Sequence, residues 1–347
     1  MTKLFIKHKT ISKKNKVFII AEIGSNHNDN LKTAKQLIQT AKKCGADAIK
    51  INRSKISIHW LKQLKNLTET RYGKKGFNPV FICSVFSESM VDELEKIDVA
   101  CYKIASSELN HIPLIERIAQ TKKPIIISTG LSKMSEVYEA VEIIEKYHKK
   151  AGILHCISAY PVPENECNLN IIKSLKFNFN YNIGFSDHTE TIALPALVAI
   201  YNGATIIEKH ITLDRKQAGL DHKFALIPRE FEEMVQLIRH FESLSKMRQY
   251  AHLISSYGKD RVHNLMGQFE KVIQPCESIL YPKDKRSIIT PKGLSRGEIL
   301  TDKNTAILKS ERNLLPGAHP RYYKLMIGKT ANKQIPAGQG VNIEDVQ

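Results

Sequence analysis

Hydrophobic positions along the chain fall into short unbroken runs rather than a strict alternation. Val17–Ile23, Ala46–Asn52, Pro79–Ser84, Ala100–Ala105, Pro124–Gly130, Gly152–Ile157, Tyr181–Ser186 and Ala204–His210 are rich in Ile, Val or aromatic residues. A strand covered on both faces reads this way, because neither side must stay polar. Between the runs, Leu31–Cys44, Glu88–Lys96, Ser135–His148 and Ile192–Asn202 carry helical patterns. Eight strands, mostly followed by helices, predict an α/β fold: a (β/α)8 TIM barrel over residues 1–245. A doubly wound open sheet shares the local signals and is the alternative architecture.

The pattern changes after the eighth run. Residues 246–282 lose the barrel periodicity and read as a linker. Residues 283–347 hold short apolar pieces punctuated by Gly, such as Met326-Ile-Gly-Lys and Ile335-Pro-Ala-Gly, and predict a small β-rich module. The length of 347 residues suits this division.

Polar groups finish every run: Glu22; Lys50 and Asn52; Ser84; Lys103 with Ser106 and Glu108; Ser128; His155 with Ser158 and Tyr160; Ser186-Asp187-His188; and Glu208-Lys209-His210. In a barrel these ends converge on one mouth, where catalytic groups gather. The pattern predicts an active site there.

Composition narrows the setting. No apolar stretch reaches the roughly 20 residues needed to span a bilayer, and lysines interrupt the N-terminus, so neither a membrane anchor nor a signal peptide is expected. The cysteines (Cys44, Cys83, Cys101, Cys156, Cys167, Cys276) show no CxxC spacing and read as reduced thiols of a cytoplasmic protein. The net charge is +17, yet only 12 of the 52 basic residues are Arg. That favours a basic surface with anionic small-molecule partners over a nucleic-acid-binding face.

The mouth residues suggest chemistry. His188 and His210 close neighbouring strands and could hold one divalent metal, or simply hydrogen-bond. Lys50 and Lys103 at the ends of buried strands require an anionic partner. With Ser84, Ser106, Ser128 and Ser186 they suit phosphate and carboxylate, while a Schiff-base lysine is the alternative. Glu22, Glu108 and Asp221 are acid–base candidates, or carboxylates paired to a neighbouring lysine.

Six blocks carry a resemblance: Ala21-Glu-Ile-Gly-Ser-Asn-His-Asn28, Tyr102-Lys-Ile-Ala-Ser-Ser-Glu108, Ile127-Ser-Thr-Gly130, His155-Cys-Ile-Ser-Ala-Tyr-Pro-Val-Pro163, Phe185-Ser-Asp-His-Thr189 and Ile207-Glu-Lys-His210. In order and placement they resemble the signatures of the sialic acid (N-acetylneuraminate) synthase family. These are phosphoenolpyruvate-dependent nonulosonate synthases with a C-terminal antifreeze-like (SAF) domain. The resemblance implies condensation of phosphoenolpyruvate with an open-chain N-acylated amino sugar, using Mn²⁺ or Mg²⁺ and no organic cofactor. It implies that His188 and His210 bind the metal, and that Lys50, Ser84, Lys103, Ser106, Ser128 and Ser186 bind phosphoenolpyruvate, with Ser84 where the family usually has Thr. Glu22 is implied beside the reacting centre, with Glu108 and Asp221 as further catalytic carboxylates. Asn52, Ser158, Tyr160 and a tail arginine, for which Arg312 is the candidate, are implied to meet the sugar. A domain-swapped homodimer is implied to deliver that arginine to the partner's barrel.

Departures from the family pattern fall on the sugar side. The segment 53–77 is shorter than usual, Asn52 replaces the usual Gln, Ser158 stands where some members have Asn, and Arg312 is displaced from the Pro316-Gly317 pair. These changes predict an acceptor related to N-acetylmannosamine but differently decorated. A different sugar aldehyde, or a non-catalytic carbohydrate-binding role, is the alternative.

Overall fold

The computed structural model of the chain describes residues 3–52, 56–70, 78–310 and 315–347. An N-terminal antiparallel hairpin, β1 (Leu4–Ile6) and β2 (Lys9–Ile11), comes first. Then β3 (Phe18–Gly24), β4 (Ala48–Asn52), β5 (Val80–Ser84), β6 (Cys101–Ile104), β7 (Ile125–Ser128), β8 (Ala151–Cys156), β9 (Asn182–Asp187) and β10 (Ile206–His210) form a closed parallel barrel, β10 pairing with β3. All eight coincide with the predicted runs, and closure excludes the open sheet.

Side chains on a strand alternate between faces, so each barrel strand sends one parity inward. At the lower end these inward positions are apolar: Ile20, Ala48, Ile82, Cys101, Ile126, Leu154 and Ile206 form one buried cluster. Leu4, Ile6 and Ile11 of the hairpin join that cluster, so the hairpin plugs the N-terminal end of the barrel. Large neighbours fit partly because Gly184 is small. A Cβ there would lie 2.5 Å from Leu154 Cδ2. The opposite parity faces the surrounding helices and builds a larger cluster.

The segment 246–282 is more than a connection. Helices Lys246–Tyr257 and Lys259–Met266 pack on the barrel, burying Leu253, Val262 and Leu265 in its outer core. Each helix is short and buries few residues, which is why its period is faint in the sequence. The tail pairs β11 (Arg286–Ile289) with β12 (Ala306–Lys309) and has its own core of Ile288, Leu294, Leu300, Met326, Ile335 and Val341. Gly340 lies against the Gly317 backbone, where a Cβ would come within 2.1 Å of the Gly317 nitrogen.

Candidate active site

Two residues further up the same inward rows, the barrel interior changes from apolar to ionic. Register sets His210 opposite Glu22 and Glu22 opposite Lys50. It likewise sets Asn52 opposite Ser84 and Ser84 opposite Lys103, and Cys156 opposite Ser186 and Ser186 opposite Glu208. The result is a cavity of about 130 Å³ at the C-terminal ends of the strands. Glu22, Lys50, Asn52, Lys103, Ser106, Ser128, Tyr160, Ser186, His188, His210 and Asp221 all line it, as do Cys156 and Glu208.

Glu208 organises the cations. Its Oε1 accepts from Ser186 Oγ at 2.9 Å, Lys50 Nζ at 3.1 Å and Lys103 Nζ at 3.4 Å. Lys50 is also paired with Glu22. Burial alone would raise the Glu208 carboxyl pKa, but Lys103 and Lys50 outweigh it and hold the group well below the carboxylate range. Burial pulls Lys50 down to about 8, with Glu208 opposing. Two lysines and two carboxylates thus neutralise each other in a buried site. The hydrogen bonding is nevertheless incomplete. Ser84 Oγ, Ser128 Oγ, Glu208 Oε2 and His210 Nδ1 are buried without a hydrogen-bond partner among the described residues. Each such group costs roughly 1–3 kcal/mol if left so, which suits a site shaped for a polar ligand.

The two imidazoles lie 5.3 Å apart between ring centroids. His188 Nδ1 donates to the Ile157 carbonyl at 2.9 Å, an assignment that leaves Nε2 with its lone pair. Burial lowers the His210 pKa to about 3, with Asp221 opposing at 3.8 Å, so this ring is the neutral ligand form at pH 7. Burial also disfavours the charged form of His188, but the neighbouring Cys156 outweighs it and the net shift is upward. Phe224 packs edge-on against both rings, with centroids 4.7 Å from His210 and 5.8 Å from His188, and Tyr160 lies 4.6 Å from His188. Among the described residues no three His, Cys, Asp or Glu side chains gather at coordinating spacing. His188 and His210 are therefore the imidazole donors this cavity offers, with His188 Nε2 turned away from the Ile157 bond and His210 held neutral.

Some expected site residues lie elsewhere. Glu108 is wholly buried beside the tail, and both its oxygens accept from Arg286, Nε at 2.8 Å and Nη2 at 3.0 Å. It is a paired carboxylate, but its partner is an arginine of the tail and not the neighbouring lysine expected, a contact that strand periodicity could not foresee. Ser84 faces the barrel axis but does not line the cavity. Ser158 Oγ packs by Gly130, where a Cβ would approach it to 2.3 Å. Arg312 and parts of the segment 53–77 lie outside the described residues.

Glu208, Cys156 and Phe224 were not assigned roles from the sequence. Strand parity could have found the first two, since Ile206, Glu208 and His210 alternate inward, as do Leu154 and Cys156. The same rule removes three polar strand-end residues from the mouth. His155 Nε2 bonds to the Cys167 carbonyl at 2.7 Å, and Lys209 pairs with Asp187 at 2.8 Å on the outer face.

Fold and site together define a (β/α)8 barrel with an ionic mouth suited to a small anionic ligand, followed by a β-rich tail. The chain belongs to the NeuB family, whose sequence model matches residues 53–250, and residues 285–347 match the SAF domain. It is 33% identical over 358 residues to a pseudaminic acid synthase of Campylobacter jejuni, covering 95% of this chain and 96% of the relative. It is 30% identical to an N,N'-diacetyllegionaminic acid synthase of the same species, covering 92% and 96%. The crystal structure of the spore coat polysaccharide biosynthesis protein SpsE of Bacillus subtilis superposes with a TM-score of 0.86 at 32% identity, over 100% of this chain and 99% of that one. Among the described residues no helix is long and apolar enough to cross a membrane.

Proposed function

We propose that this chain condenses phosphoenolpyruvate with the open aldehyde of an N-acylated amino sugar, giving a nine-carbon 3-deoxy-2-keto acid and phosphate. The observation that carries this reading is the pairing, in one cavity, of two buried lysines ringed by hydroxyls with two imidazoles, one of them held neutral. Lys50, Lys103, Ser128 and Ser186 receive the phosphate and carboxylate, drawing on cations that otherwise rest on Glu208. His188 and His210 would hold Mn²⁺ or Mg²⁺, which when bound supplies Lewis acidity toward the sugar aldehyde. C3 of the enol bonds to the aldehyde carbon, whose oxygen takes a proton, and water adds at C2. The C–O bond then breaks toward phosphate, leaving the ketone. Glu22, paired with Lys50 in the cavity, would take the water's proton. Asp221 is held below its ordinary value: burial opposes ionisation, and His210 and Ser25 outweigh it, so it stays anionic near the acceptor. The reaction calls for no organic cofactor.

The acceptor belongs to the same proposal. Two relatives of nearly equal identity carry the names of different sugar acids, so overall identity does not choose between them. The departures at Asn52 and Ser158, with the shortened segment 53–77, support a decorated relative of N-acetylmannosamine. A homodimer in which Arg312 of a second chain meets the sugar is also proposed; mixing Glu22→Ala subunits with tail-deleted ones should restore turnover if it forms. The main test is phosphate release and product mass with phosphoenolpyruvate and a panel of N-acylated hexosamines and simple aldoses. Release with the amino sugars alone is expected. Absence of turnover with every acceptor overturns the reading, and N-acetylmannosamine as the best acceptor overturns the altered-acceptor part.

A further inference from the structure

Three charges close to the junction of barrel and tail grip loops at the barrel mouth. Arg286 holds Glu108 and the Phe86 carbonyl, and Lys285 holds Glu136 at 3.0 Å and Ser132 Oγ at 3.1 Å. Glu277 holds two of these loops at once. It is wholly buried, and its Oε1 accepts both the Leu131 amide at 2.7 Å and the Ser158 amide at 2.8 Å. Its Oε2 takes the Gln274 amide at 3.1 Å, closing the turn that presents it.

The two amides sit where placement matters. Leu131 follows the β7 loop carrying Ser128 and Gly130, and it has φ 50°, a left-handed conformation that a leucine keeps only when its surroundings enforce it. Ser158 precedes Tyr160, whose ring faces His188. Between the loops, the Gly130 amide donates to Ser106 Oγ at 3.0 Å, and Ser158 Oγ approaches the same glycine. One carboxylate oxygen therefore ties the loop of Ser128 to the loop of Tyr160, with Ser106 between them.

We propose that Glu277 is a positioning residue for the phosphate side of the cavity, setting the relative placement of Ser106 and Ser128 through the Leu131 and Ser158 amides. This rests on the reading that the cavity binds phosphoenolpyruvate. It also assigns the connection between the domains a part in assembling the active site.

The test compares wild type, Glu277→Ala and Glu277→Gln by steady-state kinetics, calorimetric binding of phosphoenolpyruvate, and amide hydrogen exchange of the peptides containing Leu131 and Ser158. The glutamine carbonyl can still accept both loop amides and loses only the Gln274 contact that Oε2 accepted, so that variant should stay within about 3-fold of wild type in KM for phosphoenolpyruvate, whereas alanine should raise it by about 10-fold or more. The sugar KM should change much less, and both peptides should exchange faster in the alanine variant alone. An alanine variant with lowered melting temperature but wild-type phosphoenolpyruvate KM overturns the proposal. So does a glutamine variant as impaired as alanine, which keeps the proposal exposed even if alanine fails to fold. A wild-type chain that does not bind phosphoenolpyruvate overturns the functional reading and this role with it. Faster exchange in alanine would then show a loop tie without that substrate.

Discussion

Two regions of this molecule bury ionic groups, and they differ in how completely those groups are satisfied. Around the barrel and beneath the tail, the pairs made by Lys209 and Glu108 are closed. Lys209 reaches Asp187 and the carbonyls of Thr189 and Thr191, and both oxygens of Glu108 are taken by Arg286. Inside the barrel mouth, Lys50, Lys103 and Ser186 crowd onto one oxygen of Glu208, while its other oxygen and the Ser128 hydroxyl have no partner among the described residues. Both regions are buried and charged, so neither property separates structure from function here. For these groups the hydrogen bonding does: the closed pairs of Lys209 and Glu108 hold the fold, and the incomplete set around Glu208 lines a cavity that a ligand can enter.

The contrast can be broken in order of expected effect. The largest concerns the imidazoles. Chelation should abolish turnover, Mn²⁺ or Mg²⁺ should restore it, and His188→Ala or His210→Ala should block the rescue. Full activity in excess chelator would sink the metal assignment. Next come paired substitutions on the two sides of the contrast. Lys209→Met leaves Asp187 buried and unpaired and should cost about 3–5 kcal/mol in urea unfolding. Ser128→Ala removes a hydroxyl without a partner in the chain; it should change stability by less than about 1 kcal/mol yet lower kcat/KM by about 10- to 100-fold. If the serine change destabilises and the lysine change does not, the comparison is wrong.

The smallest effect is in pH. Burial works against ionisation of Glu108, but His111 and Arg286 outweigh it, so its folded pKa lies below the ordinary 4.5. The stability it lends is complete above that ordinary value and is lost as pH falls through the folded one, at no more than about 1.4 kcal/mol per pH unit. Glu108→Gln should therefore unfold with a shallower acid dependence below about pH 4.5. An unchanged acid slope would mean that Arg286 is not its partner.

Much of the site was legible because strand ends are local. Lys50, Lys103, Ser128, Ser186, His188 and His210 close apolar runs, and in a parallel barrel those ends share one mouth. Glu108 closes a run in the same manner and yet serves the tail, because its partner Arg286 lies 178 residues away in the chain. Glu277 carried no signal, since its role depends on two amide groups that only the folded loops bring together.

The sequence by itself determined the eight strands and the height along each at which apolar residues give way to polar ones. Those features depend on neighbours two to four residues apart, and backbone geometry converts such spacing directly into faces and ends. Tertiary structure alone decided which carboxylate gathers the lysines, which is tied to the tail, and that the N-terminal hairpin seals the barrel floor. Those outcomes depend on contacts between distant segments, where residue type says that a charge must find a partner but not which partner the fold will supply.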